Sequence, residues 1–303
     1  MQDFRVKTFL CVCQTLNYTA AAKQLHITQP AVSQHISFLE REYGARLFEY
    51  SHRKLKLTKA GSILQDVLAT RIHDDALLRR KLHALNDNAR RHLKVGMTLT
   101  AGKYIAAQPL ARFLNAHPEV QATVKSGDTA HLLRLLDDGS IDCAFVEGLF
   151  DGTVYACDAF STERLVCACA PDHAVAGGRA SFEELLGMPL FVREEGSGTR
   201  AVLEHALAEH NLSLNSFADV SEVGSLDIIK TLLFEGLGIS FIYESALRRE
   251  LTEGALSTIA LAGKPIEHDI SFIRLKESAF EDEFKTFFDE MRQLRDRGRA
   301  LDS

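Results

Sequence analysis

The sequence predicts an α/β fold with a helical head, and three patterns predict it. The first 57 residues place apolar side chains at helical spacing and then turn briefly extended. A long apolar stripe follows, to about residue 86. From His92 onward, short β-like runs alternate with helical stretches, the order that builds parallel sheets with covering helices.

In the head, Val6, Phe9, Leu10 and Cys13 share one helical face. Asn17-Tyr18 interrupts the pattern, and Thr19 is placed to cap a second helix through Ala20, Ala21, Ala22 and Leu25. His26-Ile27 makes a tight turn. Thr28 then caps a third helix, with Pro30 in its first turn, where the missing N–H is not needed. Val32, Ile36 and Leu39 recur on the inward face of that helix. Its other face carries Gln29, Ser33, Gln34 and Ser37, short uncharged hydrogen-bonding groups where a surface helix usually shows Lys and Glu. After Gly44, Leu47-Phe48 and the alternating Arg53-Lys54-Leu55-Lys56-Leu57 read as a short strand pair with basic tips.

Thr58 caps one long helix to about Asn86, striped by Leu64, Leu68, Ile72, Leu78, Leu82 and Leu85. Such a helix needs a partner to bury its stripe; a second copy of the chain is the simplest and the chain's own body the alternative. Beyond it, strands are expected at Leu93–Met97, Val120–Val124, Ile141–Val146, Leu165–Ala170, Leu190–Val192, Ile239–Ile242 and Ile270–Leu275. Helices are expected near 103–116, 129–137, 199–210 and 225–235, with a last amphipathic one carrying Phe280, Phe284, Phe287, Phe288 and Met291. Gly177-Gly178 marks a loop, expected near the crossover into a second lobe.

A chain that is 46% hydrophobic and 25% charged has the composition of a soluble globular protein. No apolar run reaches the roughly 18 residues of a membrane span, and the N-terminus lacks a signal-peptide layout, so the cytoplasm is the expected compartment. The net charge of −6 hides an asymmetry: residues 1–92 carry 15 Lys and Arg against 8 Asp and Glu, the remainder 20 against 33. A basic head on an acidic body points the head toward a polyanion. The six cysteines, Cys11, Cys13, Cys143, Cys157, Cys167 and Cys169, have no zinc-ligand spacing. They read as small buried hydrophobes in a reducing compartment, and no metal or cofactor is expected.

The run from Leu16 to Glu40 (LNYTAAAKQLHITQPAVSQHISFLE) closely resembles the winged helix-turn-helix of LysR-type transcriptional regulators. The resemblance continues through Gly44-Ala45-Arg46-Leu47-Phe48 and Leu57-Thr58-Lys59-Ala60-Gly61, and then loosely over the whole chain. It implies a DNA-binding domain over 1–58, a linker and dimerisation helix over 59–88, and an effector-binding domain over 92–303. That last domain would resemble a type 2 periplasmic binding protein with two Rossmann-like lobes, one of about 92–162 and 267–303, the other of about 163–266. The implied activity is sequence-specific DNA binding, modulated by a small-molecule effector held between the lobes. The implied partners are an inverted-repeat operator and further copies of the chain, as a homodimer paired again into a homotetramer.

The residues suit that work. A helix entering the major groove needs short side chains near its N-terminus, so that the backbone can approach the base edges. Gln29 or Gln34 can pair with an adenine edge, and Ser33 and Thr28 can reach bases or phosphates. Thr28, Gln29, Pro30, Ser33, Gln34 and Ser37 are therefore the candidate DNA contacts, joined by Arg53 and Lys54 where the family places its wing. One departure stands in the wing: the family commonly has Arg after the Phe-Glu pair, and here Tyr50 takes that place.

For the effector, the candidates lie where strands end and helices begin, the usual crevice of doubly wound lobes. Thr98 and Thr100 follow the strand ending at Met97; Ser197 and Thr199 follow the one ending at Val192. Ser225 starts a further helix. Free N–H groups and the helix dipole favour an anionic or strongly polar ligand at such places. The stretches Thr98–Tyr104 and Gly196–Arg200 are similar to the subgroup that includes regulators of sulfur assimilation and carbon fixation, which implies a small anion. Glu147, after the strand Cys143–Val146, is a candidate facing the same crevice. It would oppose an anion unless Arg200 or Lys103 neutralised it, or it could accept a proton from a ligand or grip an amine.

An enzyme lacks support: Glu195 stands where a nucleophile elbow around Ser197 needs Gly, and Phe241 where Gly236-Leu237-Gly238 would need its third Gly. A redox sensor with the same head would need a cysteine pair other than the family's, because no Cys follows Cys169.

Overall fold

A computed structural model describes residues 4–52, 54–87, 90–148 and 155–299. The head packs α1 (Phe4–Thr15), α2 (Tyr18–Gln24) and α3 (Gln29–Tyr43) around Phe9, Val12, Ala21, Val32, Ile36 and Leu39, with the hairpin β1 (Phe48–Ser51) and β2 (Lys54–Leu57) beside them. α2 is capped by Asn17, whose side chain accepts from the N–H groups of Thr19 and Ala20, and not by Thr19 as expected. Both residue types cap well, but Asn17 is the one with extended dihedrals. Thr28 caps α3, accepting from Ala31 N at 3.3 Å, with Pro30 in the first turn. Gly44 ends the helix at φ +65, a left-handed conformation glycine adopts without penalty.

α4 (Lys59–Asp87) is one continuous helix, but the expected stripe divides between two directions. Leu64 and Leu68 enter the head core, and Leu77 enters the core of the first lobe. Ile63, Val67, Leu78, Leu82 and Leu85 remain exposed, at 58, 42, 45, 51 and 79%. The middle of the helix is clamped to its own body. Asp74 accepts from Ser278 Oγ at 2.6 Å and Ala279 N at 2.8 Å, and Arg80 pairs with the buried Asp142. The helix therefore has one face committed within the chain and a second apolar face without a cover.

The body follows with β3 (Arg91–Met97), a π-helical turn (Ala101–Ala106) leading into α5 (Ala107–Ala116), β4 (Val120–Ser126), α6 (Thr129–Asp137) and β5 (Cys143–Val146). β6 (Tyr155–Cys169) leads to β7 (Arg179–Ala180), α7 (Phe182–Leu185), β8 (Pro189–Val192), α8 (Gly198–Glu209) and β9 (Asp219–Glu222). The chain then forms α9 (Leu226–Phe234), β10 (Ile239–Tyr243), α10 (Glu244–Thr252), β11 (Ser257–Leu261), β12 (Ile266–Leu275) and α11 (Glu281–Arg299). The strands run β4-β3-β5-β12-β6-β10-β8-β9, with β11 branching from β6 and β7 pairing with β11.

The expectation of parallel sheets holds only in part. β3 pairs in parallel with β4 and β5, and β8 with β9 and β10, but β12 is antiparallel to β5 and β6, and β6 to β10. β6 and β12 are long because each serves both lobes. Ala156 to Ala159 of β6 pairs with β12 in the first lobe, whereas Leu165 to Ala168 pairs with β10 in the second. The crossover therefore runs through these two strands, and Gly177-Gly178 lies past it, in the loop between β6 and β7. The first half of β6 eluded the sequence reading because Asp158, Thr162, Glu163 and Arg164 break its apolar run. β7, β9, β11, α7 and α10 likewise lie outside the elements the sequence pattern predicts.

Each lobe has its own core. Val95, Phe113, Phe145, Phe160 and Phe272 meet Phe284, Phe287, Phe288 and Met291 of α11 in the first; Leu165, Leu190, Val202, Leu207, Ile239 and Phe241 fill the second. Five cysteines are buried, but Cys157 on β6 is exposed, against the expectation of uniform burial.

Candidate nucleic-acid interface and interlobe site

The DNA-facing candidates gather on the free side of α3. Thr28, Gln29, Pro30, Gln34 and Ser37 are exposed and Ser33 is half-buried, while Val32, Ile36 and Leu39 hold the opposite side in the core. Gln29 Nε2 donates to Ser33 Oγ at 3.0 Å, which orients the amide along the helix. Lys54 is exposed on the hairpin beside Lys56; Arg53 lies outside the described residues. Tyr50, the departure from the family's wing, is 71% exposed on β1. The surface is a row of short donors and acceptors framed by cations, with no carboxylate on the outward positions from Gln29 to Ser37.

The interlobe site lies at the carboxyl ends of β3, β5 and β8. Thr98 N donates to Phe145 O at 3.0 Å, setting the turn after β3 against the end of β5. Thr98 and Thr100 are each 2% exposed, Glu147 3%, Ser197 5% and Thr199 6%. The Thr98 hydroxyl is buried and makes no hydrogen bond among the described residues. Thr199 Oγ1 donates to Glu147 Oε2 at 3.2 Å, and the Thr100 hydroxyl bonds the same carboxylate from the other lobe. Glu147 thus stands between the two hydroxyls, at the N-terminus of α8.

Two glycines permit this closeness. A Cβ on Gly198 would lie 2.6 Å from Glu147 O, and one on Gly148 would lie 2.8 Å from Gly198 Cα. Backbone therefore meets backbone across the cleft. Ser197 caps α8 without a side-chain capping bond. The remaining candidate, Ser225, does not join the group: its hydroxyl accepts from Ile228 N at 3.5 Å as the cap of α9.

Burial pushes the Glu147 carboxyl up to about 7, against the hydrogen bonds from Thr100 and Thr199 and the field of Arg193, which pull it down. The two cations considered for neutralising it are committed elsewhere. Arg200 bonds Glu204 at 2.9 Å and Glu222 at 2.6 Å, and Lys103 bonds Asp227 at 2.8 Å. Arg193 is the nearer cation, buried at 6% exposure and held by Glu194 through two bonds of 2.7 Å.

Several neighbours of the site were not legible as such. Thr129 Oγ1 donates to Glu147 O at 2.5 Å, and Gly148 N donates to His268 Nε2 at 3.1 Å. The Tyr243 phenol, at the end of β10, is buried, and burial with the fields of Glu147 and Glu163 raises it well above its usual range. The Lys103–Asp227 pair ties the first lobe to α9 of the second, and Tyr104 lies beneath Lys103 and Lys230 with each ammonium 5.1 Å from its ring centre. Segments far apart in the sequence bring these residues to the site, and no local pattern carries that.

Known proteins match both halves of this architecture. Residues 5–62 match the bacterial regulatory helix-turn-helix protein, lysR family, and residues 86–296 the LysR substrate binding domain. The HTH-type transcriptional regulator CysL of Bacillus subtilis is 28% identical over 269 residues, covering 88% of this chain and 89% of that protein. The HTH-type transcriptional regulator CfxR of Cupriavidus necator is 31% identical over 264 residues, covering 87% and 82%. Among solved structures, the regulatory domain of CcmR from Synechocystis PCC6803, in complex with 2-PG, superposes with a TM-score of 0.60 at 22% identity. That alignment covers 68% of this chain and 98% of the CcmR domain. With a helix-turn-helix whose polar helix faces outward and a two-lobed body closed around a buried polar site, the chain belongs to the LysR family of transcriptional regulators.

Proposed function

We propose that two copies of the chain, joined along α4, place their α3 helices in successive major grooves of an inverted-repeat operator. A second dimer, paired through the effector-binding domains, reads a neighbouring site. Thr28, Gln29, Pro30, Ser33, Gln34 and Ser37 meet bases and backbone, and Arg53 and Lys54 meet the phosphates or the minor groove. The functional division is a DNA-binding domain over 1–58, a dimerisation helix over 59–88 and an effector-binding domain over 92–303, working in the cytoplasm. Among the described residues no helix is long and apolar enough to cross a membrane.

The effector is a small anion held by Thr98, Thr100, Ser197 and Thr199. What carries this reading is the convergence of buried hydroxyls from both lobes on the N-terminus of α8, whose free N–H groups and dipole attract negative charge. The 2-PG held by CcmR is a chemically related precedent on the same fold. The ligand acts by binding one arrangement of the lobes better than another, and about 1–3 kcal/mol of coupling suffices to change how the heads sit on DNA.

Two measurements test this. Thr100→Ala with Ser197→Ala is expected to spare DNA binding and to abolish the thermal shift produced by a panel of sulfate, thiosulfate and 2-PG. An undiminished shift would move the pocket elsewhere. Gln29→Ala with Ser33→Ala is expected to leave the melting temperature unchanged and to cost about 1–3 kcal/mol for each lost base contact. Protection of the chain's own promoter would then fall to that of scrambled DNA; an unchanged footprint rules the assignment out.

A further inference from the structure

We propose that Glu147 is a built-in competitor for the anion seat, so that an oxyanion enters together with one proton, delivered to Glu147. The inference rests on the anion reading above and adds how the site is regulated. The groups that would hold an anion already hold the chain's own carboxylate. Thr199 donates to Glu147 Oε2 at 3.2 Å, Thr100 bonds the same carboxylate, and the start of α8 lies directly against the Glu147 backbone. The Thr98 hydroxyl beside them is buried and unused. At 3% exposure, Glu147 is only weakly screened by solvent from an incoming negative charge.

Among the described residues, the surroundings leave a proton as the local relief. From the end of β8 and the following turn, Arg193 faces the carboxylate, but it is held bidentate by Glu194, which returns a negative charge to the same corner. From β10 comes the Tyr243 phenol, and from β6 Glu163, which accepts from Ser161. From β12 comes His268, in contact with both the N–H and the carbonyl of Gly148 and lowered by burial, so that it stays neutral. From the cap of α6 comes Asp128, close to Gly196. Apart from Arg193, each of these groups among the described residues is neutral or acidic. Burial already holds the Glu147 proton to about 7, so uptake near neutral pH is within reach. The balance is simple: ionised Glu147, one proton and the anion give neutral Glu147, which can donate a hydrogen bond to the bound oxyanion.

Sulfate is the appropriate first probe, because its own charge does not change near neutral pH. Titration calorimetry on the full chain, repeated in buffers of different ionisation enthalpy, is expected to show uptake of up to one proton per sulfate above the Glu147 titration. Wild-type affinity should fall about tenfold per pH unit there. Glu147→Gln, a neutral mimic that keeps the shape, should bind independently of pH and on the order of tenfold more tightly than wild type at about pH 8. Glu147→Ala should lose the pH dependence as well. Equal, pH-independent sulfate binding by wild type and Glu147→Gln, without proton uptake, would overturn the inference and leave the anion reading standing. If sulfate, thiosulfate and 2-PG bind neither protein at any pH, the anion reading fails and the inference with it; amine binding that requires ionised Glu147 would then identify a cationic effector.

Discussion

Replacing Leu78 and Leu82 together by Glu is expected to leave each chain folded but monomeric, and to weaken binding to a full operator by about 10²–10⁴-fold. Leu78 and Leu82 are 45 and 51% exposed, and they continue the uncovered face begun by Ile63 and Val67 and ended by Leu85. Neither side chain belongs to a core cluster, so their loss leaves the cores of the head and the first lobe intact. In a dimer each would gain about 1.5–3 kcal/mol on full burial, and the half already exposed sets the share available. Four carboxylates facing one another along the seam add repulsion. Sedimentation checks the oligomeric state, and gel retardation on a full site against a half-site checks the avidity. Half-site affinity should be unchanged, because α3 is untouched. A dimer that persists with undiminished operator binding places the interface elsewhere.

The second large effect concerns stability against pH. The Glu147 carboxyl is raised in the folded chain to about 7 from the ordinary value of 4.5, chiefly by burial. An acid raised in this way binds its proton more tightly when folded than when unfolded. Its contribution is therefore fully present below about pH 4.5, where both states are protonated, and is lost as pH rises toward about 7. The full loss corresponds to about 3 kcal/mol. Glu147→Gln removes it. Between about pH 5 and about pH 8 the wild type should lose several degrees of melting temperature more than the variant. Identical pH profiles for the two proteins would show that Glu147 is not held in the buried, hydroxyl-bound position described above.

Features decided over short distances were legible. Thr28 and Pro30 mark the start of α3 and Gly44 its end, because capping depends on a few adjacent residues. The outward row from Gln29 to Ser37 could be read because the inward positions Val32, Ile36 and Leu39 are apolar at helical spacing. At α2 the same logic offered two good caps, and the backbone conformation at Asn17 decided between them. The order of β3, α5, β4, α6 and β5 followed from alternation alone. By contrast, α10 begins at Glu244 directly after β10 ends at Tyr243, so no turn residue separates the two elements. β6 runs past charged residues, of which Arg164 faces solvent while Glu163 is buried.

The body's site was legible in its hydroxyls and not in its electrostatics. Thr98, Thr100, Ser197 and Thr199 each stand at a strand end followed by a helix, a local signature. Neither of the two cations the sequence offers attends Glu147, because Arg200 and Lys103 find Glu222 and Asp227. Those residues lie 22 and 124 positions away in the chain.

From the chain of residues alone came the helix-turn-helix head, the long linker helix, the alternating body, the outward polar face of α3 and the family. Each of these is written in spacing, capping or charge over a few turns, where neighbours in sequence are neighbours in space. Tertiary packing alone decided the division of the α4 apolar face, the antiparallel crossing of β6 and β12 between lobes, and the seating of Glu147 between Thr100 and Thr199. These depend on distant segments meeting, and the charge state of a carboxyl depends on everything that excludes water from it.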